Sequence, residues 1–150
     1  MKLSSFLFFI IFLIFISACD RFDNRMLEVE NNSDKTIYSI ISSDNQIGTE
    51  GFYWEFEYDE KHIFTKEDSL FLFKFTPILP NEKIENHDRP RFWDSYFEGI
   101  EDKKLRLFIV TQDSVEKYGW HKIFKKNIYT KKYILSKEDL DKQNWTIIYK

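Results

Sequence analysis

The chain is predicted to be mainly β, an antiparallel β-sandwich-like domain with short helical inserts behind a cleavable N-terminal signal helix. Composition is the first reason: 16 Phe, eight Tyr and four Trp stand against four Gly and three Pro, and aromatic and β-branched residues suit half-buried strands. Alternation is the second. Phe52, Trp54, Phe56 and Tyr58 fall on one side of an extended segment, with Tyr53, Glu55 and Glu57 on the other. The third is order along the chain, where about seven short strand-like runs follow one another without the regular strand-helix alternation of a parallel sheet. No internal repeat or low-complexity tract interrupts them.

The chain begins with Lys2, an apolar run over residues 3–15 broken only by Ser4 and Ser5, and then Ile16-Ser17-Ala18-Cys19. A weakly basic start, an apolar middle and small residues before a cut are the layout of a secretory signal, too short and too lightly flanked for a permanent span. Ile16 to Cys19 resembles the bacterial lipobox, which implies lipid transfer to Cys19 and cleavage before it. The expected organisation is therefore a lipoprotein signal peptide at 1–18, a tether at 19–25 and a single β-rich domain at 26–150. The mature part is long enough to bury roughly two thirds of its surface. Cys19 is the sole cysteine. Lipid would consume it, so the domain must be held by its apolar core rather than by a disulfide.

Residues 20–25 are short, polar and charged, as a tether of limited reach would be. Residues 26–30 alternate Leu27 and Val29 with Glu28 and Glu30, Asn31 to Asp34 supply turn chemistry, and 36–42 is a second β-rich run. Together they predict a hairpin. Residues 43–51 read as a loop and 52–58 as a strand. Residues 69–76 are apolar on both faces up to Lys74, which predicts a central strand ended by Pro77 and Pro80. Residues 81–90 are expected to be an irregular polar loop, and 91–97 a short helix. A strand follows at 104–111, then a helix capped by Asp113 or Ser114 that carries Val115, Tyr118 and Phe124 and is weakened by Gly119. Strand 128–135, a capping-type start at Ser136 to Asp139 and a strand through Trp145, Ile147 and Tyr149 complete the chain.

The formal net charge is −3, and a mildly acidic chain lacks the cationic surface that nucleic acid requires. The histidines are His62, His87 and His121. Glu85, His87 and Asp88 form a cluster that a metal site or an acid/base pair would use, and Ser95 lies close in sequence. An envelope hydrolase or metal-binding protein built on this loop is thus the alternative reading. No Gly-x-Ser-x-Gly elbow, third triad member, phosphate loop or cofactor fingerprint accompanies it, so no cofactor or enzymatic activity is expected.

Charge order is more unusual. Lysines 117, 122, 125, 126, 131, 132 and 137 follow one another with no Asp or Glu between the first and last. Tyr118, Trp120, Phe124, Tyr129 and Tyr133 are interleaved. Lys122, Lys125, Lys126, Lys131 and Lys132 are the candidate interaction face for anionic headgroups, an acidic glycan or an acidic envelope protein. The plainer reading is a solvated face whose lysines guard a sheet edge. The aromatic stripe at 52–58 is expected in the core rather than as a sugar platform.

The segment from Tyr133 through Leu135-Ser136-Lys-Glu-Asp-Leu140 to Asn144-Trp-Thr-Ile147 is similar to the ending of small uncharacterised lipoproteins of Bacteroidetes-type bacteria. Asn31 to Tyr38 and the surroundings of Trp93 and Trp120 resemble other parts of that pattern. The resemblance implies fold and address without an activity. Asp68-Ser69-Leu70 and Asp113-Ser114-Val115 are similar to O-glycosylation sites of such proteins, and each also reads as a turn or cap. Asp20 would favour the inner membrane under enterobacterial sorting. The resemblance points to a lineage outside those rules, and the outer membrane is expected. A non-catalytic binding module, attached to the membrane through lipid on Cys19, is the function that follows.

Overall fold

A computed structural model of the protein describes residues 23–47, 60–69, 75–86 and 92–150. The signal segment with Cys19, the 52–58 stripe, most of the expected 69–76 strand, and His87 and Asp88 lie outside these residues. Among them, strands β1 (Glu28–Asn31), β2 (Ile37–Ser42), β3 (Glu82–Glu85), β4 (Leu105–Thr111), β5 (Lys131–Leu135) and β6 (Thr146–Tyr149) form two three-stranded sheets. The helices are α1 (Lys66–Ser69), α2 (Trp93–Gly99), α3 (Gln112–Tyr118), α4 (Trp120–Lys126) and α5 (Lys137–Lys142). Helix and strand are similar in extent, so the described part is mixed α/β with two antiparallel-rich sheets rather than mainly β.

Sheet A has the order β3-β1-β6 and sheet B the order β2-β4-β5. Alternate residues of β2 and β4 face opposite ways, and both directions are buried. Ile37, Ile41, Leu105, Leu107 and Ile109 share a core with Leu27, Val29, Ile147 and Tyr149 of sheet A and the sheet-flanking Trp93, Phe97 and Leu140. Tyr38, Ile40, Phe108 and Val110 share a second core with Val115, Trp120, Ile123 and Phe124 of α3 and α4. Sheet B is thus the middle layer, which explains the unbroken apolar run Leu107 to Val110. Phe64 and Phe75 stack at 4.5 Å in the second core. The outer face of sheet A alternates as a solvated face should, with Lys83 paired to Glu28 and Ile148 44% exposed.

Three expectations change. The expected hairpin is a crossing: the 31–36 turn forms, but β1 and β2 belong to different sheets. Asn31 explains it, because its fully buried carboxamide donates to the carbonyls of Lys35 (2.7 Å) and Ile78 (3.0 Å) and accepts the Ser33 hydroxyl (2.7 Å) and N–H (3.1 Å). A group satisfied this way spans the layers and holds the turn open. The polar 81–90 loop contains β3, an edge strand with the single apolar residue Ile84 turned inward. The helix expected through Gly119 is two helices, because Gly119 sits at φ 72°, ψ 153°, a region reserved for glycine.

Other elements match closely. Ser136 accepts the Asp139 N–H at 3.2 Å and the Asp139 carboxylate accepts the Ser136 N–H at 3.0 Å, a complete capping box on α5. β6 falls where alternation places it, but it runs parallel to β1. Two further contacts join the sheets along their sides: Tyr133 Oη donates to the Ile148 carbonyl at 2.9 Å, and Asn86 Nδ2 to Ser39 Oγ at 3.0 Å.

Candidate interaction face

Helix α4 turns Trp120, Ile123 and Phe124 into the second core and leaves Lys122, Lys125 and Lys126 exposed, as the 3.6-residue period requires. Lys125 and Lys126 occupy its last turn, where cations complement the partial negative charge of the free carbonyls. Asn127 ends the helix in the left-handed conformation (φ 53°, ψ 49°), its N–H reaching the Ile123 and Phe124 carbonyls. Its side chain accepts the Ile47 N–H at 2.9 Å and donates to the Asn45 carbonyl at 3.1 Å. The loop after β2 is thereby fastened beside the end of α4.

Register divides the two strand lysines. Lys132 lies opposite Phe108 and Lys131 opposite Ile109, and directly paired residues share a face of the sheet. Lys132 therefore stands on the α4 side of sheet B, near the Tyr129 and Phe108 rings (5.8 and 5.9 Å), with Nζ 3.1 Å from Asn45 Oδ1. Lys131 stands on the sheet A side, 5.8 Å from the Tyr133 ring. Lys122, Lys125, Lys126 and Lys132 share one side, and Lys131 belongs to the β5 edge. Lys117 and Lys122 approach the Tyr118 ring at 4.9 and 5.3 Å. Lys137 is spent on Asp94 at 2.7 Å.

The other candidates do not converge among the described residues. Glu85 pairs with Glu28 on the outer face of sheet A, and Ser95 lies on the exposed side of α2. His62 Nε2 is 3.2 Å from the Asp68 carboxylate. That carboxylate also takes the Thr65 N–H and hydroxyl, and the Thr65 N–H chiefly holds it below the usual carboxylate range. His121 Nδ1 is 3.7 Å from Glu60. Among the described residues no group of three His, Cys, Asp or Glu is placed to hold a metal. Asp113 pairs with Lys35 rather than capping α3.

No known protein family, curated protein or solved structure matches this chain.

The site that sequence reasoning missed lies in the expected tether. Arg25 grips Asp23 through two hydrogen bonds (2.8 and 2.6 Å), Asp23 accepts the Trp93 N–H at 3.0 Å, and the Trp93 indole N–H donates to the Arg25 carbonyl at 2.9 Å. Arg25 also reaches Asp94 at 3.1 Å and lies 5.0 Å from the Trp145 ring centroid. Residues 23–25 are docked on the domain. The available signal was Trp93 itself, since a buried indole needs an acceptor for its N–H.

The Arg25 guanidinium, helped by the Trp93 N–H, pulls the Asp23 carboxyl from 3.8 down to about 2. A depressed carboxyl stabilises the folded state above its unfolded pKa and loses that contribution as pH falls through the folded one. Asp23→Asn is therefore expected to be less stable than the parent at neutral pH and to approach it near pH 2. Urea midpoints at both pH values check this, and a constant difference would remove the ion pair from the account.

Proposed function

We propose that the protein is a lipid-anchored bacterial envelope lipoprotein, a non-catalytic interaction module whose α4 face receives an anionic envelope partner. The observation that carries the address is the run of apolar residues into Ile16-Ser17-Ala18-Cys19. The resemblance to Bacteroidetes-type lipoproteins supports the same address, with the outer membrane as its site. Two sheets sharing one core support a sandwich-like framework under it. Lys122, Lys125 and Lys126 exposed together on one helix, with Lys132 on the same side of sheet B, support the binding role. An acidic glycan or acidic protein has the chemistry to meet them.

Cys19→Ser is expected to abolish lipid attachment and leave unprocessed precursor, read by detergent partitioning and mass. Two or three acyl chains at ~0.8 kcal/mol per buried CH₂ make detachment of the normal protein negligible. A Cys19→Ser chain still cut at the same bond and acylated would defeat the anchor, and fractionation of the parent decides between membranes.

Replacing Lys122, Lys125, Lys126, Lys131 and Lys132 together with Gln is expected to slow capture of an anionic partner roughly tenfold at low salt and to leave the fold intact. The loss should fade as screening shortens to ~8 Å at physiological ionic strength. Lys131→Gln alone should contribute little, because Lys131 is on the other face. Capture unchanged by all five substitutions would make the segment a solvated surface.

A further inference from the structure

We infer that the end of the domain built from Asp23, the start of α2 and α5 lies against the lipid bilayer, with the 32–36 turn pointing away from it. The inference rests on the proposed lipid anchor and asks where that anchor leaves the domain. Asp23 is fastened to the Trp93 backbone, and Arg25 to Asp23, Asp94 and the Trp93 indole. Four peptide steps separate Cys19 from Asp23, a span of at most ~14 Å when fully extended.

A domain of this size has a radius of gyration of about 14 Å and is roughly 35 Å across. The point of attachment is thus held within less than half a domain width of the headgroups. The far surface would need an attachment point a full width from the bilayer to touch it. Strand direction defines that surface. β1 leaves the Asp23 end at Glu28 and reaches Asn31, followed by the 32–36 turn, while β4 starts beside α5 at Leu105 and ends at Thr111, which pairs with Ile37.

The apposed end is charged at its surface. Asp94, Glu98, Asp102, Lys103, Lys137 and Glu138 line a 590 Å³ cleft there together with Phe97, and the apolar Met26, next to Arg25, is 39% exposed. Side chains of both signs at this end rest on headgroups without drawing the domain into the hydrocarbon. Tether length, not attraction, selects the surface, so salt should leave the orientation unchanged.

The test uses the full lipidated chain, in which lipid occupies the Cys19 thiol and an introduced cysteine is unique. Ser95→Cys on α2 and Asp34→Cys in the far turn, both exposed positions, carry an environment-sensitive fluorophore in phosphatidylcholine vesicles doped with a headgroup quencher. The expected result is loss of most emission from the Ser95 label and unchanged emission from the Asp34 label, at low and high salt. Glu98→Cys and Asn32→Cys form a second pair should either label disturb folding. Vesicle-bound protein with equal quenching at both ends overturns this inference alone. Protein that acquires no lipid and does not float with the vesicles overturns the anchor, and this orientation with it.

Discussion

Trp93→Ala is expected to destabilise the domain by about 3–5 kcal/mol, the range for removing a large buried aromatic side chain. Trp93 is fully buried, with its ring 4.9 Å from Trp145, 5.9 Å from Tyr96 and 6.3 Å from Phe97. Truncation leaves a cavity where α2 meets the shared core of the two sheets and removes the donor to the Arg25 carbonyl. A domain holding about 5–15 kcal/mol in total would lose a large fraction of it. Trp93→Phe retains much of the volume and should cost about half as much, the missing part including the indole hydrogen bond. Urea unfolding of the two variants measures both. A Trp93→Ala loss under about 1 kcal/mol would mean that the core does not depend on this ring.

Gly119→Ala is expected to cost about 3 kcal/mol, combining backbone strain with a steric conflict. At φ 72° the residue is in a region L side chains avoid, and a Cβ would stand 2.9 Å from the Glu60 carbonyl oxygen. That oxygen also accepts the Trp120 N–H at 2.7 Å, so it cannot retreat without breaking the bond that starts α4. Asparagine should not rescue the position. Its tolerance of positive φ belongs to ψ near +47°, as at Asn127, and not to 153°. Thermal unfolding of the Ala and Asn variants tests the point, and near-parental stability in either would refute the strain.

How much of this was readable beforehand depended on where each signal lay. β4, β6 and α5 were legible because their evidence is local: a continuous apolar run, strict alternation at Trp145, Ile147 and Tyr149, and the Ser136 to Asp139 box. β3 was not, since an edge strand with one inward Ile84 carries no alternation to count. The crossing at Asn31 was hidden for a different reason. Turn chemistry reports that the chain bends, while its destination here depends on Ile78, 47 residues away. The basic segment was visible as composition, and strand alternation alone parts Lys131 from Lys132, but only register shows that Lys132 is the one on the α4 side. The Asp23–Arg25 staple was invisible because short charged stretches look alike whether they dangle or dock.

The parallel pairing of β1 with β6 sets the time at which folding can finish. Val29 pairs with Ile147, and the Glu28 N–H is taken by the Trp145 carbonyl at 2.8 Å. β1 is the central strand of its sheet, so one whole side of it stays unpaired until residues 146–149 have been synthesised. Contacts this distant in sequence form late, after the entropy of closing a very long loop has been overcome. A chain emerging from the ribosome would leave this sheet unclosed until residues 146–149 had followed the rest of the domain out. The sheet would shut when Tyr149 reached Asn31.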